Sequence, residues 1–351
     1  MSQPPTVSLS SSPSSPDQLL KDQFERCRQN GVLRNDPLEP GVLRKRIPGG
    51  LHLIAEYEPT LFGRKRPAAL ANNGSIDMDQ PFDKTKFNFT KIVGEEEVLV
   101  YLQTDNHTEE RHPILVNVSP LMYGHGLLVP WVTQGLPQQL TFEAVDLALK
   151  LVWNTTKCDF CVGFNSLGAF SSVNHLHLHI LYPGELDHEA RGAAIMEGRK
   201  DFPIAYAPVK QTVIENYYGV CVDLLDWMVP CFSFQQKGVE ENENNHNLQS
   251  LPSAVSRFVR FLHAERIPHN VLFLQEERVI VIPRQPQHEF DASQHGFNAA
   301  LGEISGMLIA KTREHFEALE ETKVMKVMTE HVACNEDTLS NILKELKKGT
   351  H

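Results

Sequence analysis

The segment His175-Leu176-His177-Leu178-His179-Ile180-Leu181 alternates histidine with aliphatic residues. A strict period of two specifies a β-strand with one buried face, because successive side chains leave a pleated strand on opposite sides. Leu176, Leu178 and Ile180 are therefore assigned to a core. His175, His177 and His179 are assigned to the other face, with their imidazoles ~6–7 Å apart. Three readings of that face are open. One is ordinary strand polarity. The second is a zinc site, since His-x-His projects two nitrogen ligands from one face, although no third or fourth ligand stands nearby. The third is attack by an imidazole on phosphorus, in which a covalent intermediate divides one difficult displacement into two easier ones.

About fifty residues upstream lies Pro120-Leu121-Met122-Tyr123-Gly124-His125-Gly126-Leu127-Leu128-Val129-Pro130. The two segments together resemble the histidine triad (HIT) superfamily of nucleotide hydrolases and transferases. Its pattern is a Gly-His-x-Leu-hydrophobic-x-Pro strand followed by an alternating histidine strand. The stretches Pro81 to Ile92, Glu95 to Leu99 and Phe164 to Leu178 narrow the likeness to the GDP-hexose phosphorylases: the plant GDP-L-galactose and animal GDP-D-glucose phosphorylases. It runs from about Gly41 to Lys347. The plant members carry glutamine where this chain has His179, so the animal branch is the nearer one.

The resemblance implies an α+β fold, a HIT-like antiparallel sheet with flanking helices, in two HIT-like halves of which the second is degenerate. It implies transfer of a nucleotidyl group with His177 as nucleophile, and an unperturbed imidazole, pKa ~6.5, is mostly neutral at cellular pH. His175 and His179 would donate to phosphate oxygens or the leaving group, and Ser171 and Ser172 would lie beside the α-phosphate, in a loop whose small residues let backbone N–H groups approach an anion. Asn165 would contact phosphate or ribose, and His125 would lie near the site. Lys91, with Lys86 and Asn88, is either a nucleotide or sugar contact or a solvated strand residue. The implied substrates are a GDP-hexose and inorganic phosphate, with no cofactor and no metal. The rivals are a hydrolase releasing GMP, a zinc-binding protein using His175, His177 and Cys158 or Cys161, and a silent nucleotide sensor.

Composition supports a globular chain of 351 residues with 41% apolar content and room for a substantial core. A formal charge of -11 argues against broad nucleic-acid binding, which uses basic faces. No apolar run approaches the ~20 residues that span a bilayer, and no hydrophobic leader follows the first residues. A cytoplasmic protein is expected, with a homodimer allowed. Six cysteines are too few for a disulfide framework at this length. Cys158-x-x-Cys161 is read chiefly as part of a core strand, with a zinc or redox pair as the alternative.

Residues 1–16 are Ser/Pro-rich and expected to be disordered. Residues 17–200 form the half with the triad, and 201–351 the degenerate half with C-terminal helices. Asp17 is expected to cap a helix over 18–30. Strands are expected over 51–55, 87–92, 98–102, 114–118, 125–129 and 160–164, and a helix over 137–153. The basic clusters 44–46 and 64–66 read as solvated surface or part of a phosphate pocket. Residues 235–247 read as an exposed loop. A helix opening near Pro252 precedes a hairpin over 269–284, which repeats the plan of 114–130.

Overall fold

The computed structural model describes residues 3–9, 16–61, 77–92, 94–104, 111–156, 159–186, 196, 198–236 and 250–348. Cys158, the 64–66 basic cluster and nearly all of the 235–247 loop lie outside these residues. Among the described residues no helix is long and apolar enough to cross a membrane.

One eleven-stranded sheet organises the chain. Its strands are β1 (Thr6–Ser8), β4 (Val98–Gln103), β5 (Arg111–Val116), β6 (Gly126–Leu128), β7 (Cys161–Asn165), β8 (Leu178–Leu181), β9 (Val209–Tyr217), β10 (Val220–Leu225), β11 (Phe232–Gln235), β12 (His269–Leu274) and β13 (Arg278–Pro283). They lie in the order β1-β4-β5-β6-β8-β7-β12-β13-β11-β10-β9. The first half thus runs β4-β5-β6-β8-β7 and the second β9-β10-β11-β13-β12, the same path. The halves join through the antiparallel β7–β12 pair, in which Asn165 faces Asn270 and Gly163 faces Leu272. By position the hairpin over 269–284 corresponds to β7–β8, and not to the 114–130 pair. The reason is that each half places its helix between its third and fourth strands, α2 (Phe142–Trp153) and α3 (Ser250–Ala264). A smaller sheet combines β2 (Leu43–Arg46), β3 (Ile54–Tyr57) and β14 (Met307–Ala310) in the order β14-β3-β2.

Apolar periodicity decides the layers. Helix α2 is capped by the Thr141 hydroxyl, which accepts from Ala144 N at 3.3 Å, and it buries Val145, Leu147, Ala148, Leu151 and Val152. With α1 (Pro16–Gln29) and α3 it covers one face of the sheet, where Leu176, Leu178 and Ile180 join the same cluster. Each such aliphatic side chain contributes roughly 1.5–3 kcal/mol on full burial. The other face packs on Met122, Phe202, Leu301, Met307 and the small sheet. Gly163 lets Leu301 pack closely there: a Cβ would sit 2.1 Å from Leu301 Cδ2 unless that side chain moved.

Four expectations are corrected. The stretch expected to lack structure supplies β1, pairing in parallel with β4. Pro16 and Asp17 stand inside the first turn of α1, and the Asp17 carboxylate accepts instead from Thr156 N at 2.9 Å. Residues Phe89–Lys91 form a 3₁₀ turn where a strand was expected, because the Asn88 side chain caps it by accepting from Thr90 N at 3.1 Å. Of the 44–46 cluster, Arg44 is not solvated, its Nε meeting Glu56 Oε2 at 2.7 Å with both side chains at most 3% exposed, and none of the three lines the cavity described below.

Candidate active site

A cavity of about 490 Å³ opens on the histidine face of the first half. Its wall separates two apolar clusters. Phe87, Phe89, Ile92, Leu115, Leu127 and Val173 belong to one; Met122, Phe202, Leu301 and Met307 belong to the other. Between them stand Asn165, Ser171, Ser172, His125, His177 and His179. Among the described residues no lysine or arginine lines it.

The strand β8 begins only at Leu178, so His177 precedes it, 4% exposed. His177 Nδ1 lies 2.7 Å from the His175 carbonyl. A carbonyl oxygen can only accept, so Nδ1 carries the proton and Nε2 keeps its lone pair. The backbone around it is held by Gln138, whose Oε1 accepts from His177 N at 2.9 Å and whose Nε2 donates to the carbonyls of His177 and Asn165, both at 3.0 Å.

His175, an expected site residue, does not reach the cavity wall. It is fully buried between Phe82 and Phe89, with ring centroids 4.9 and 5.6 Å away. Phe89 N donates to its Nδ1 at 3.1 Å. Its carbonyl, and not its ring, is what it offers His177. The alternation failed here because the regular strand has not yet begun.

His179 forms a relay with His125. Leu121 N donates to His125 Nδ1 at 3.0 Å, and His125 Nε2 lies 3.0 Å from His179 Nδ1 and 3.2 Å from Asn117 Nδ2. Asn165 Oδ1 accepts from Asn270 Nδ2, so Asn165 Nδ2 is the donor that faces His179 Nε2 at 3.3 Å. His125 is thus a buried partner of the triad as well as a cavity residue.

The loop between β7 and β8 depends on the second half. Asn270 Nδ2 donates to Asn165 Oδ1 at 2.6 Å and to Ala169 O at 3.1 Å. His269 N donates to Ser166 Oγ at 2.9 Å, and Gln287 N to Gly168 O at 2.7 Å. Phe170 N donates to Gln287 Oε1. Phe170 itself takes φ +69°, a left-handed backbone that costs a non-glycine residue on the order of 1 kcal/mol. Ser171 is buried and its hydroxyl donates to Val173 O at 3.1 Å; Ser172 is exposed. Among the described residues the N–H groups of Ser172 and Val173 have no protein acceptor.

Lys91 leaves the site: its Nζ donates to Thr85 O at 2.8 Å, and it is exposed. Lys86 is exposed outside the cavity wall, and Asn88 spends its side chain on the 3₁₀ turn. Cys161 is buried in β7, its thiol pushed well above the ordinary range by burial. Among the described residues no three His, Cys, Asp or Glu side chains converge to hold a metal. Gln138, Asn270 and Gln287 were not legible beforehand, since each is a lone amide in no motif.

Burial pulls His177 down to about 4, opposed by the His175 carbonyl. Burial also pulls down His175 and His269, each to about 4. These groups titrate near 6.5 in the unfolded chain. Between those values the unfolded state binds protons that the folded state refuses, so stability falls as pH falls from 6.5 towards 4. Each histidine contributes roughly 3 kcal/mol to that loss. Urea midpoints should therefore be flat above pH 7 and drop steadily below 6.5; a midpoint unchanged down to pH 4.5 would contradict the buried neutral histidines.

The sheet and its flanking helices make this an α+β enzyme whose first half carries a histidine-lined cavity. Family models described as "GDPGP1-like, N-terminal domain" and "GDPGP1-like, C-terminal domain" match residues 16–181 and 203–348. The chain belongs to this GDPGP1-like family. It is 32% identical over 344 residues to GDP-D-glucose phosphorylase 1 of Danio rerio, covering 92% of this chain and 88% of that protein. It is 29% identical over 342 residues to the Homo sapiens GDP-D-glucose phosphorylase 1, covering 90% and 81%. To GDP-L-galactose phosphorylase 1 of Arabidopsis thaliana it is 29% identical over 336 residues, covering 90% and 69%. A similar fold is seen in yeast Ap4A phosphorylase Apa2 in complex with Ap4A, at TM-score 0.55 and 19% identity, covering 89% of this chain and 95% of that one.

Proposed function

We propose that this chain is a cytosolic GDP-D-glucose phosphorylase, converting GDP-glucose and inorganic phosphate to glucose 1-phosphate and GDP. The observation that carries the reading is the bond from His177 Nδ1 to the His175 carbonyl, which leaves Nε2 as a lone pair on a ring lining the cavity. The relatives' names supply the substrate.

In the first step Nε2 of His177 attacks the α-phosphorus of GDP-glucose. The P–N bond forms as the bond from α-phosphorus to the bridging oxygen breaks, and glucose 1-phosphate leaves as a dianion. A phosphate monoester has its second pKa near ~6, so the leaving group needs no proton. The resulting guanylyl-imidazolium keeps its Nδ1–H on the His175 carbonyl. In the second step an oxygen of hydrogen phosphate attacks the same phosphorus, the P–N bond breaks, and neutral His177 returns. The phosphate's own proton stays on the β-phosphate of GDP.

Charge spreads over the equatorial oxygens during each transfer. Asn165 Nδ2 and the N–H groups of Ser172 and Val173 supply donors for it, with the His179 ring beside them. The apolar side with Phe87, Phe89 and Ile92 fits a flat base. His175 acts as a positioning residue through its carbonyl and the Phe89 bond.

A product assay over a panel of NDP-glucoses, with and without phosphate, tests the reading. GDP should form from GDP-glucose fastest. The same assay in EDTA should retain at least about half its rate, because the positive field that a metal supplies elsewhere is here supplied by donors of the chain. Loss of the rate in EDTA with recovery on one added metal would favour a metal-dependent enzyme.

A further inference from the structure

The cavity takes a substrate with two phosphates, yet no lysine or arginine lines it among the described residues. A guanidinium stands one aromatic ring behind it. Arg284 follows β13 in the second half and is 1% exposed. Its Cζ stands 5.1 Å from the centroid of Phe170, and Phe170 lines the cavity. Its Nε donates to Gln285 O at 3.0 Å and its Nη1 to Ala299 O. Its Nη2 is buried and has no hydrogen-bond partner.

Such an arrangement is costly in a stability sense alone. A buried guanidinium loses its hydration, and an unsatisfied donor on it adds to that loss. Burial pulls Arg284 down to about 9, with Glu303 opposing, so it remains cationic at neutral pH. The segment that carries it also carries Gln287, which holds both Gly168 and Phe170. The charge therefore lies under the same loop whose Ser172 and Val173 N–H groups face no protein acceptor.

We propose that Arg284 is the positioning cation of one phosphate subsite, used in turn by the departing hexose phosphate and the incoming inorganic phosphate. Both must occupy one place. In a two-step exchange at one phosphorus, the acceptor enters along the line by which the leaving group departed. The cation acts from beneath the loop, holding Phe170 against its ring face and lowering the energy of a dianion above it in a low-dielectric wall. The half without a histidine triad thus supplies charge to the site of the half that has one.

The inference rests on the phosphorylase reading, and the two fail differently. If the unaltered protein transfers guanylyl groups to no acceptor, that reading fails. If it does transfer them, Arg284→Gln and Arg284→Lys decide the inference. Arg284→Gln, which removes the charge and keeps a donor for Ala299, should lower kcat/KM for phosphate about 30-fold. Arg284→Lys, which keeps the charge, should stay within about threefold, and guanidinium added to Arg284→Ala should restore part of the phosphate step. Binding of GMP, which lacks the second phosphate, should change less than threefold in all three. Equal losses in the Gln and Lys variants, or none in Gln, would reduce Arg284 to packing and overturn the proposal. A measurement on the unaltered protein guards against variants that fail to fold: sulfate, a dianion, should compete with phosphate, whereas nitrate at matched ionic strength should not. Failure of sulfate to compete would overturn the proposal without any variant.

Discussion

Replacing His177 by asparagine should lower turnover of GDP-glucose by at least ~10⁴-fold, the scale on which removal of a nucleophile acts. Asparagine approximates the imidazole in size and can donate to the same carbonyl, so the fold should persist. What it lacks is a basic nitrogen with a free lone pair. Brief incubation of the unaltered protein with GDP-glucose and no phosphate should add one guanylyl group, which mass spectrometry after digestion would place on His177. In His177→Asn both the adduct and the turnover should vanish. A variant that turns over at near-normal rate would remove His177 from the reaction. The tautomer makes the prediction specific: with Nδ1 committed to the His175 carbonyl at 2.7 Å, the adduct should be on Nε2.

The second large effect concerns the acceptor. A phosphorylase must protect its guanylyl-histidine from water at ~55 M while admitting an anion present at far lower concentration. Phosphate should raise turnover of GDP-glucose by at least ~100-fold, on the order of 3 kcal/mol of barrier. GDP and glucose 1-phosphate should appear in equal amounts. Apolar walls on both sides of the histidines and a donor-lined loop between them favour an anion over loosely held water. If GMP accumulates at one rate with or without phosphate, the enzyme is a hydrolase and the phosphorylase assignment is wrong.

Much of the local chemistry could be read before any coordinates. Leu176, Leu178 and Ile180 enter the core that the alternation assigns to them, because a period of two leaves an aliphatic face only one place to go. The β12–β13 hairpin falls where its apolar runs are broken by Gln275 to Glu277. The 3₁₀ turn at Phe89 was missed because Asn88 overrides a strand-like apolar pattern with a side-chain cap. His175 was placed with its neighbours because alternation carries no mark of where a strand starts.

What the sequence by itself determined, then, is the core face of Leu176, Leu178 and Ile180 and the family likeness, since these rest on residues close together in the chain. Which ring nitrogen is free, that His175 serves through its carbonyl, and that Lys91 turns away were decided only by the tertiary structure. So was the bracing of the loop between β7 and β8 by Asn270 and Gln287, and the burial of Arg284 behind Phe170. These pairs lie some 100 residues apart in the chain. Their meeting follows from the β7–β12 pairing that joins the two halves, and a lone amide or guanidinium bears no periodic signal of the partner it will meet.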